Sequence, residues 1–315
     1  MNNESIVIRD QPPGKGNGKE NILPYPAYYI NNIDIKDDDL FFNKINILKN
    51  IKIVIFDYNE VLCQISKKDR DNIKHKFILI SRIIKKHNKI LFNDPELGYL
   101  LGDKFISYEL LRELPSSSIF KLPKVYSNSS KNINFPIICR EKVNTHSSND
   151  FIASNFGQFK NLFKKECDYV VTEYIDSFNK NYNVYHSIRL MVVNEKLIDF
   201  YYRPSHKSII HNNDQIKDIR LIQETDKFFK NYLNSSKLSD SLNDLYKILG
   251  NGFYAIDCIL NEGSLYICEI GYKFYDNTHV YFTKTIDGLI LNKPSLNKAR
   301  LKRLHEKIIK SVIDN

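Results

Sequence analysis

Residues 253–271 read FYAIDCILNEGSLYICEIG. Strand-type runs flank the turn signal Asn261-Glu262-Gly263, which makes the segment a β-hairpin. Two acids, Asp257 and Glu269, stand where apolar alternation predicts a half-buried sheet. A three-residue loop (Glu262, Gly263, Ser264) places Asp257 directly opposite Glu269 on one face, whereas a two-residue loop turns them apart. Like charges opposed across a sheet repel, and a cation or a shared proton commonly offsets the cost. Mg²⁺ suits such a pair, because it takes hard oxygen ligands and often only one or two carboxylates completed by water and substrate phosphate. The competing reading is two solvated acids on an exposed face.

Working outward, the chain alternates short apolar runs with amphipathic ones. KIVIFDYNEV from Lys52 fits a buried strand, residues 69–87 carry Ile73, Phe77, Ile80 and Ile84 at helical spacing, and Lys89–Phe92 is a second strand. Strand, helix, strand implies a parallel α/β unit. Asn93-Asp94-Pro95 is a turn, and Asp103 opens a helix that ends near Pro115. Strands at Phe135–Arg140 and Asp168–Ile175 enclose the loop 144–150 and a helix from about Phe156 to Lys165, giving a second, antiparallel unit. Residues 186–203 make two strands joined at Asn194-Glu195, and a helix from about Leu238 to Leu249 leads into the hairpin. An apolar stripe (Leu301, Leu304, Ile308, Val312) marks a C-terminal helix over 295–313. No internal repeat is present.

With 315 residues, 42% hydrophobic and 26% charged, the composition is that of a globular protein. No apolar run approaches bilayer length and the N-terminus lacks the pattern of a secretory signal, so a cytoplasmic protein is expected. Five cysteines without a C-x-x-C pair read as buried free thiols. The net charge of +9 suits an anionic partner such as nucleotide phosphate. QPPGKGNGKE (11–20) is not a phosphate loop, having three residues between Gly14 and Gly18 and Glu20 after Lys19, and it reads as a flexible leader. The seven Lys and Arg residues between Lys293 and Asn315 read as a solvated outer face rather than a nucleic-acid arm.

Taken in order, Asp103-Lys104 opening a helix, Arg140 ending a strand, Glu173-Tyr174-Ile175 ending another and the acidic hairpin resemble the ATP-grasp superfamily, from about Asn93 to Gly271. The resemblance implies an α/β architecture with a leading α/β lobe followed by two α+β subdomains that sandwich nucleotide. The corresponding segments are a leader and extension (1–48), the leading lobe (49–98), subdomain 1 (99–175) and subdomain 2 with the C-terminal helix (176–315).

By the same resemblance Lys104 and Arg140 bind nucleotide phosphates, with Ser147 and Ser148 donating from a loop that here contains no glycine. Glu173 and Tyr174 are the adenine hinge, and Arg189 and Arg203 bind the substrate carboxylate and the transferred phosphoryl group. Asp257 and Glu269 ligate Mg²⁺, with Gly271 where the family pattern has Asn. The implied cofactors are ATP and Mg²⁺. The implied chemistry is ligation of a small-molecule or peptide carboxylate to an amine or thiol through an acyl phosphate. The expected partners are these substrates and, as is common in the family, a second copy in a homodimer, but neither membrane nor nucleic acid. Alternatives are a catalytically silent nucleotide- or peptide-binding relative and an ATP-grasp-type kinase.

Overall fold

The computed structural model describes residues 5–9, 27–29, 37–57, 69–87, 90–127, 130, 132–143, 150–162, 169–210, 216, 221, 224, 227, 232, 235–272, 282–284 and 290–292. The leader motif 11–20, the loop 144–149 and the C-terminal helix expected over 295–313 lie outside these residues.

Three larger sheets and one two-stranded pair occur among the described residues. In the first, β1 (Ser5–Arg9), β2 (Ala27–Tyr29), β3 (Ile53–Asp57) and β4 (Ile90–Phe92) run parallel in the order β2-β1-β3-β4. Two of these strands come from the 1–48 segment read as leader, where Ile6-Val7-Ile8 is a β-branched run that favours a strand. Helix α1 (Asp38–Ile45) is capped by Asp37, whose Oδ1 accepts the Leu40 N–H at 3.0 Å. Helix α2 (Arg70–Lys86) buries Ile73, Phe77, Ile80 and Ile84, the stripe that its sequence spacing predicts. These side chains share one core with Phe41, Ile45, Val54 and Phe56.

Two short helices follow: α3 (Pro95–Leu101), capped by Asp94 Oδ1 on Glu96 N–H at 2.9 Å, and α4 (Lys104–Leu111). Strand β5 (Phe120–Lys121) leaves for another sheet. Strands β6 (Val125–Tyr126), β7 (Ile137–Glu141), β8 (Phe151–Ala153) and β9 (Tyr169–Glu173) form an antiparallel sheet ordered β6-β9-β7-β8. Helix α5 (Phe156–Leu162) lies between β8 and β9 in sequence and contributes Phe159 to the core of this sheet.

The largest sheet is built on β11 (Val184–Val193), which pairs antiparallel with β12 (Lys196–Ser205) and with β13 (Phe253–Asn261). The short β10 (Phe178–Asn179) pairs with the start of β11. Strand β14 (Ser264–Gly271) pairs antiparallel with β13 and parallel with β5. Helix α6 (Ser236–Leu249) places Leu238, Leu242, Leu245 and Leu249 in the core with Ile188, Leu190, Tyr254 and Ile256. Strands β15 (Phe282–Lys284) and β16 (Ile290–Asn292) make a separate antiparallel pair.

One asparagine couples the first sheet to the third. Asn93 is fully buried at φ 59°, a left-handed conformation that Asn tolerates better than most residues. Its amide donates to Phe56 O at 3.0 Å and accepts Phe253 N–H at 2.8 Å. Its own N–H donates to Asn251 O at 3.1 Å. The turn signal Asn93-Asp94-Pro95 is therefore also a joint, from which Asp94 and Pro95 start α3.

Candidate functional site

The acidic hairpin turns on two residues, not three. Glu262 and Gly263 both have positive φ (47° and 74°), and Asn261 pairs with Ser264. On the sequence argument alone this loop turns Asp257 and Glu269 apart. The register holds from that turn to Cys258↔Ile267 and then shifts, so that Asp257 pairs with Glu269 and Ile256 with Ile270. The shift is a β-bulge that makes Cys268 the extra residue of β14, and it restores the acid pair that a two-residue loop alone forbids.

A bulge also takes backbone groups out of the ladder. The Cys268 carbonyl accepts the Tyr108 hydroxyl and Arg140 Nη1–H, each at 3.0 Å. Arg140 Nη2–H in turn donates to the Tyr108 oxygen, and the guanidinium lies 5.7 Å from the centre of the Tyr108 ring. Tyr108 and Arg140 are 1% and 8% exposed. Burial pushes the Tyr108 hydroxyl up to about 12, so it stays a phenol able to donate. Burial opposes the charge on Arg140, but Tyr108, Cys268 and Asp150 outweigh it and the guanidinium remains charged. Its Nε–H is buried with no hydrogen-bond partner among the described residues.

Helix α4 supplies this triangle because Lys104 and Tyr108, four residues apart, share one helix face. Asp103 caps the helix, its Oδ1 accepting Phe105 N–H at 2.8 Å and Ile106 N–H at 3.2 Å. The Asp-Lys pairing thus has a structural half. Lys104 is not the surface lysine that a first helical turn usually carries: it is buried, and its Nζ donates to Glu141 O at 3.3 Å, beside Arg140.

On the other side of the acid pair, Arg189 grips Asp257 as a two-pronged fork, Nε to Oδ1 at 2.7 Å and Nη2 to Oδ2 at 2.7 Å. Arg203 Nη2 reaches the same Oδ1 at 2.9 Å. Register explains the convergence, since Arg189 sits opposite Asp257 across β11 and β13. Hydrogen bonds, chain neighbours and one strand pairing thus connect Lys104, through Glu141, Arg140, Tyr108 and Cys268, to the Glu269 and Asp257 pair and on to Arg189 and Arg203. Six of the residues singled out in the sequence stand in this one line.

The hinge candidates occupy a different place. Glu173 exchanges two bonds with Lys124, donating its N–H to Lys124 O at 2.9 Å and accepting Lys124 N–H on Oε1 at 2.9 Å, which fastens the β6 edge of the sheet. Tyr174 donates its N–H to Pro136 O at 3.3 Å, and its hydroxyl, pushed up to about 12 by burial, hydrogen-bonds Ser208 beyond β12. Ser147 and Ser148 fall outside the described residues. Tyr108 and the Cys268 carbonyl were missed in the sequence, and Asn93 was read there only as a turn residue. Only the i, i+4 spacing of Lys104 and Tyr108 could have flagged the first, and nothing in one sequence announces the bulge.

The described thiols of Cys139, Cys258 and Cys268 are all free. Burial pushes Cys268 up to about 11 and Cys139 to about 12, so neither is a ready thiolate nucleophile. For a metal ion, Asp257 Oδ1 already accepts two N–H groups and Oδ2 accepts one. Gly271 brings no side chain, and no group of three or more His, Cys, Asp or Glu residues suited to a metal occurs among the described residues. In kind, two carboxylates, Asp257 and Glu269, match the coordination of a single Mg²⁺, which often takes only one or two carboxylates and completes its shell with water and phosphate. Among the described residues no helix is long and apolar enough to cross a membrane.

Among solved structures, the chain is similar over 98% of its length to a D-alanine–D-alanine ligase from Bacillus anthracis complexed with ATP, covering 97% of that chain at TM-score 0.52 and 14% identity. It is similar over the same share to a RimK domain ATP-grasp protein from Sphaerobacter thermophilus DSM 20745 (99% of that chain, TM-score 0.52, 10% identity). A third is the VanG D-Ala:D-Ser ligase from Enterococcus faecalis (99% of that chain, TM-score 0.50, 12% identity). At such identities the likeness is one of fold. No family model matches the sequence, and neither does any curated protein.

Proposed function

We propose that this chain, which has the ATP-grasp fold, is an ATP-dependent ligase that joins a carboxylate to an amine or thiol. The observation that carries the reading is the set of four buried cations, Lys104, Arg140, Arg189 and Arg203, arranged on either side of the paired acids Asp257 and Glu269. Phosphoryl transfer requires positioning and charge neutralisation more than a protein nucleophile, and this set offers cations with no activated cysteine beside them.

In this reading Lys104 and Arg140 hold the nucleotide phosphates, with Ser147 and Ser148 donating from the adjoining loop. Glu173 and Tyr174 stand at the adenine end. Arg189 and Arg203 hold the Asp257 carboxylate between them and supply the positive charge that an acidic substrate requires. A substrate carboxylate oxygen attacks the γ-phosphorus and ADP leaves. An amine or thiol then attacks the acyl carbon and phosphate leaves. Mg²⁺, when bound by Glu269 and Asp257, would neutralise phosphate charge.

One observation favours a second reading, a nucleotide-binding relative without turnover: the arginines that suit an acidic substrate are already engaged with Asp257. Calorimetric titration with ATP, with and without Mg²⁺, on wild type and Glu269→Ala tests both. Mg²⁺-dependent binding that disappears in the variant supports the site, and phosphate release on adding carboxylates and amines then separates ligase from silent binder. Wild-type affinity retained in Glu269→Ala sinks the metal assignment.

A further inference from the structure

We infer that Tyr108 is a positioning residue: together with the bulged Cys268 carbonyl it fixes two corners of the Arg140 guanidinium so that the third, Nε–H, is presented to an anionic oxygen of the ligand. The inference rests on the proposed nucleotide site but assigns it two groups that the sequence motifs do not contain.

A guanidinium on a flexible stem normally rotates among several poses, and each pose aims its donors differently. Here Nη1–H is held by Cys268 O at 3.0 Å and Nη2–H by the Tyr108 oxygen, while Tyr108 O–H closes the triangle on the same carbonyl at 3.0 Å. Three elements meet in it: α4 carrying Tyr108, β7 carrying Arg140 and β14 carrying Cys268. The Cys268 carbonyl is open to Tyr108 and Arg140 because Cys268 is the extra residue of the bulge and β14 pairs with β5 only at Leu265 and Tyr266. A buried cationic donor left without an acceptor is costly. Arg140 is more than nine-tenths buried and its Nε–H has no acceptor among the described residues, which is how a donor awaiting a ligand looks. An acceptor there must be anionic or strongly polar, and a phosphate oxygen meets that need.

The same triangle fastens the antiparallel β6-β9-β7-β8 sheet to the hairpin that bears Glu269, one residue beyond the carbonyl. A ligand oxygen on Nε–H is thereby placed relative to the acid pair as well as to Arg140. This is the pre-organisation that a positioning residue supplies without touching the ligand itself.

The test uses full-length protein and Tyr108→Phe, which keeps the ring and leaves Cys268 O bonded to Arg140 Nη1. Binding of a non-hydrolysable ATP analogue should weaken about tenfold, the effect of one charge-assisted bond, while adenosine binding stays unchanged. In an Arg140→Gln background, Tyr108→Phe should weaken the analogue no further. Equal losses for analogue and adenosine, or an undiminished loss in the Arg140→Gln background, would mean that Tyr108 merely supports the fold, and the inference falls. If wild type binds neither ligand, the nucleotide reading fails separately, and ¹⁵N side-chain NMR of Arg140 decides the positioning. Resolved Nη resonances in wild type that average in Tyr108→Phe sustain it, and averaged resonances in wild type overturn it.

Discussion

Replacing Asp257 with Ala removes the carboxylate that two buried arginines of the largest sheet share. The side chains of Arg189 and Arg203 are 7% and 6% exposed, so water cannot take over from the carboxylate without opening the structure. Three N–H···O contacts of 2.7, 2.7 and 2.9 Å disappear together. At about 1.5–3 kcal/mol for each charge-assisted bond, a simple sum overshoots, because all three share one acceptor and the freed guanidiniums partly relax. The range for breaking a buried ion pair, about 3–5 kcal/mol, is the better expectation. Urea unfolding followed by circular dichroism should show it as a lower midpoint at constant slope. Arg189→Gln should cost a similar amount, and the double variant should lose about 1–3 kcal/mol less than the two singles added together. Because the pair is buried, raising the salt to about 0.5 M should leave most of that coupling in place. A loss below about 1 kcal/mol for Asp257→Ala, or a cycle additive to within about 0.5 kcal/mol, would mean that the carboxylate does not hold the arginines.

At Asn93, the Ala variant leaves Phe56 O and Phe253 N–H unsatisfied and keeps a left-handed φ, for a loss of about 3–6 kcal/mol, whereas Gly relieves the φ and should recover roughly 1 kcal/mol of it. Thermal unfolding ranks the two, and Ala equal to or above Gly contradicts the account. Gly98→Ala gains about 1 kcal/mol of helix propensity but sets a Cβ 2.6 Å from the ring of Tyr272, which is 5% exposed with its hydroxyl fixed on Asp94 O at 2.9 Å. Overpacking should win by about 1–2 kcal/mol, so a more stable Ala variant would show that the ring can move. Burial holds His186 neutral, its Nε2 accepting Leu260 N–H at 3.3 Å, and lowers it from 6.5 to about 4. The unfolded chain therefore binds the proton first: this stability is complete above about pH 6.5 and falls by on the order of 3 kcal/mol towards pH 4, a slope that urea midpoints should show in wild type and not in His186→Gln. Lys104→Ala should weaken ATP binding at every salt concentration, and wild-type affinity in calorimetry would remove it from the site.

What could be read in advance follows a physical division. The stripe of α2 and the β11 and β12 pair were legible because each is long enough to show its period and ends in an identifiable turn. Arg189 stood out because a cation in an apolar run demands a partner, and that partner proves to be Asp257. Strands of two residues, such as β5, β6 and β10, have no period to read and exist because a neighbouring strand supplies their bonds. Glu173 could not be judged from its strand-end position, since its bond to Lys124 joins residues 49 positions apart. Tyr108 looked like any helical aromatic, and its role appears only once β7 and β14 are brought beside it. Asn93 was recognised as a turn residue, but its grip on Phe253, 160 positions away, is tertiary information.

The spacing between Asp257 and Glu269 is common to two different hairpins. One has a three-residue loop and regular strands, the other a two-residue loop and one extra residue in β14, and both oppose the same two acids with the same number of residues between them. Aligned letter by letter, the two forms are indistinguishable, yet only the second makes Cys268 an extra residue with no partner on β13. The dipeptide Glu262-Gly263 makes the choice, through the positive φ that both residues adopt. A change at the tip of the turn, far from any charged group of the site, can therefore leave the acids facing one another while withdrawing the anchor of Arg140. Comparison of this chain with distant relatives at these strands has to be made on paired residues rather than on columns of sequence.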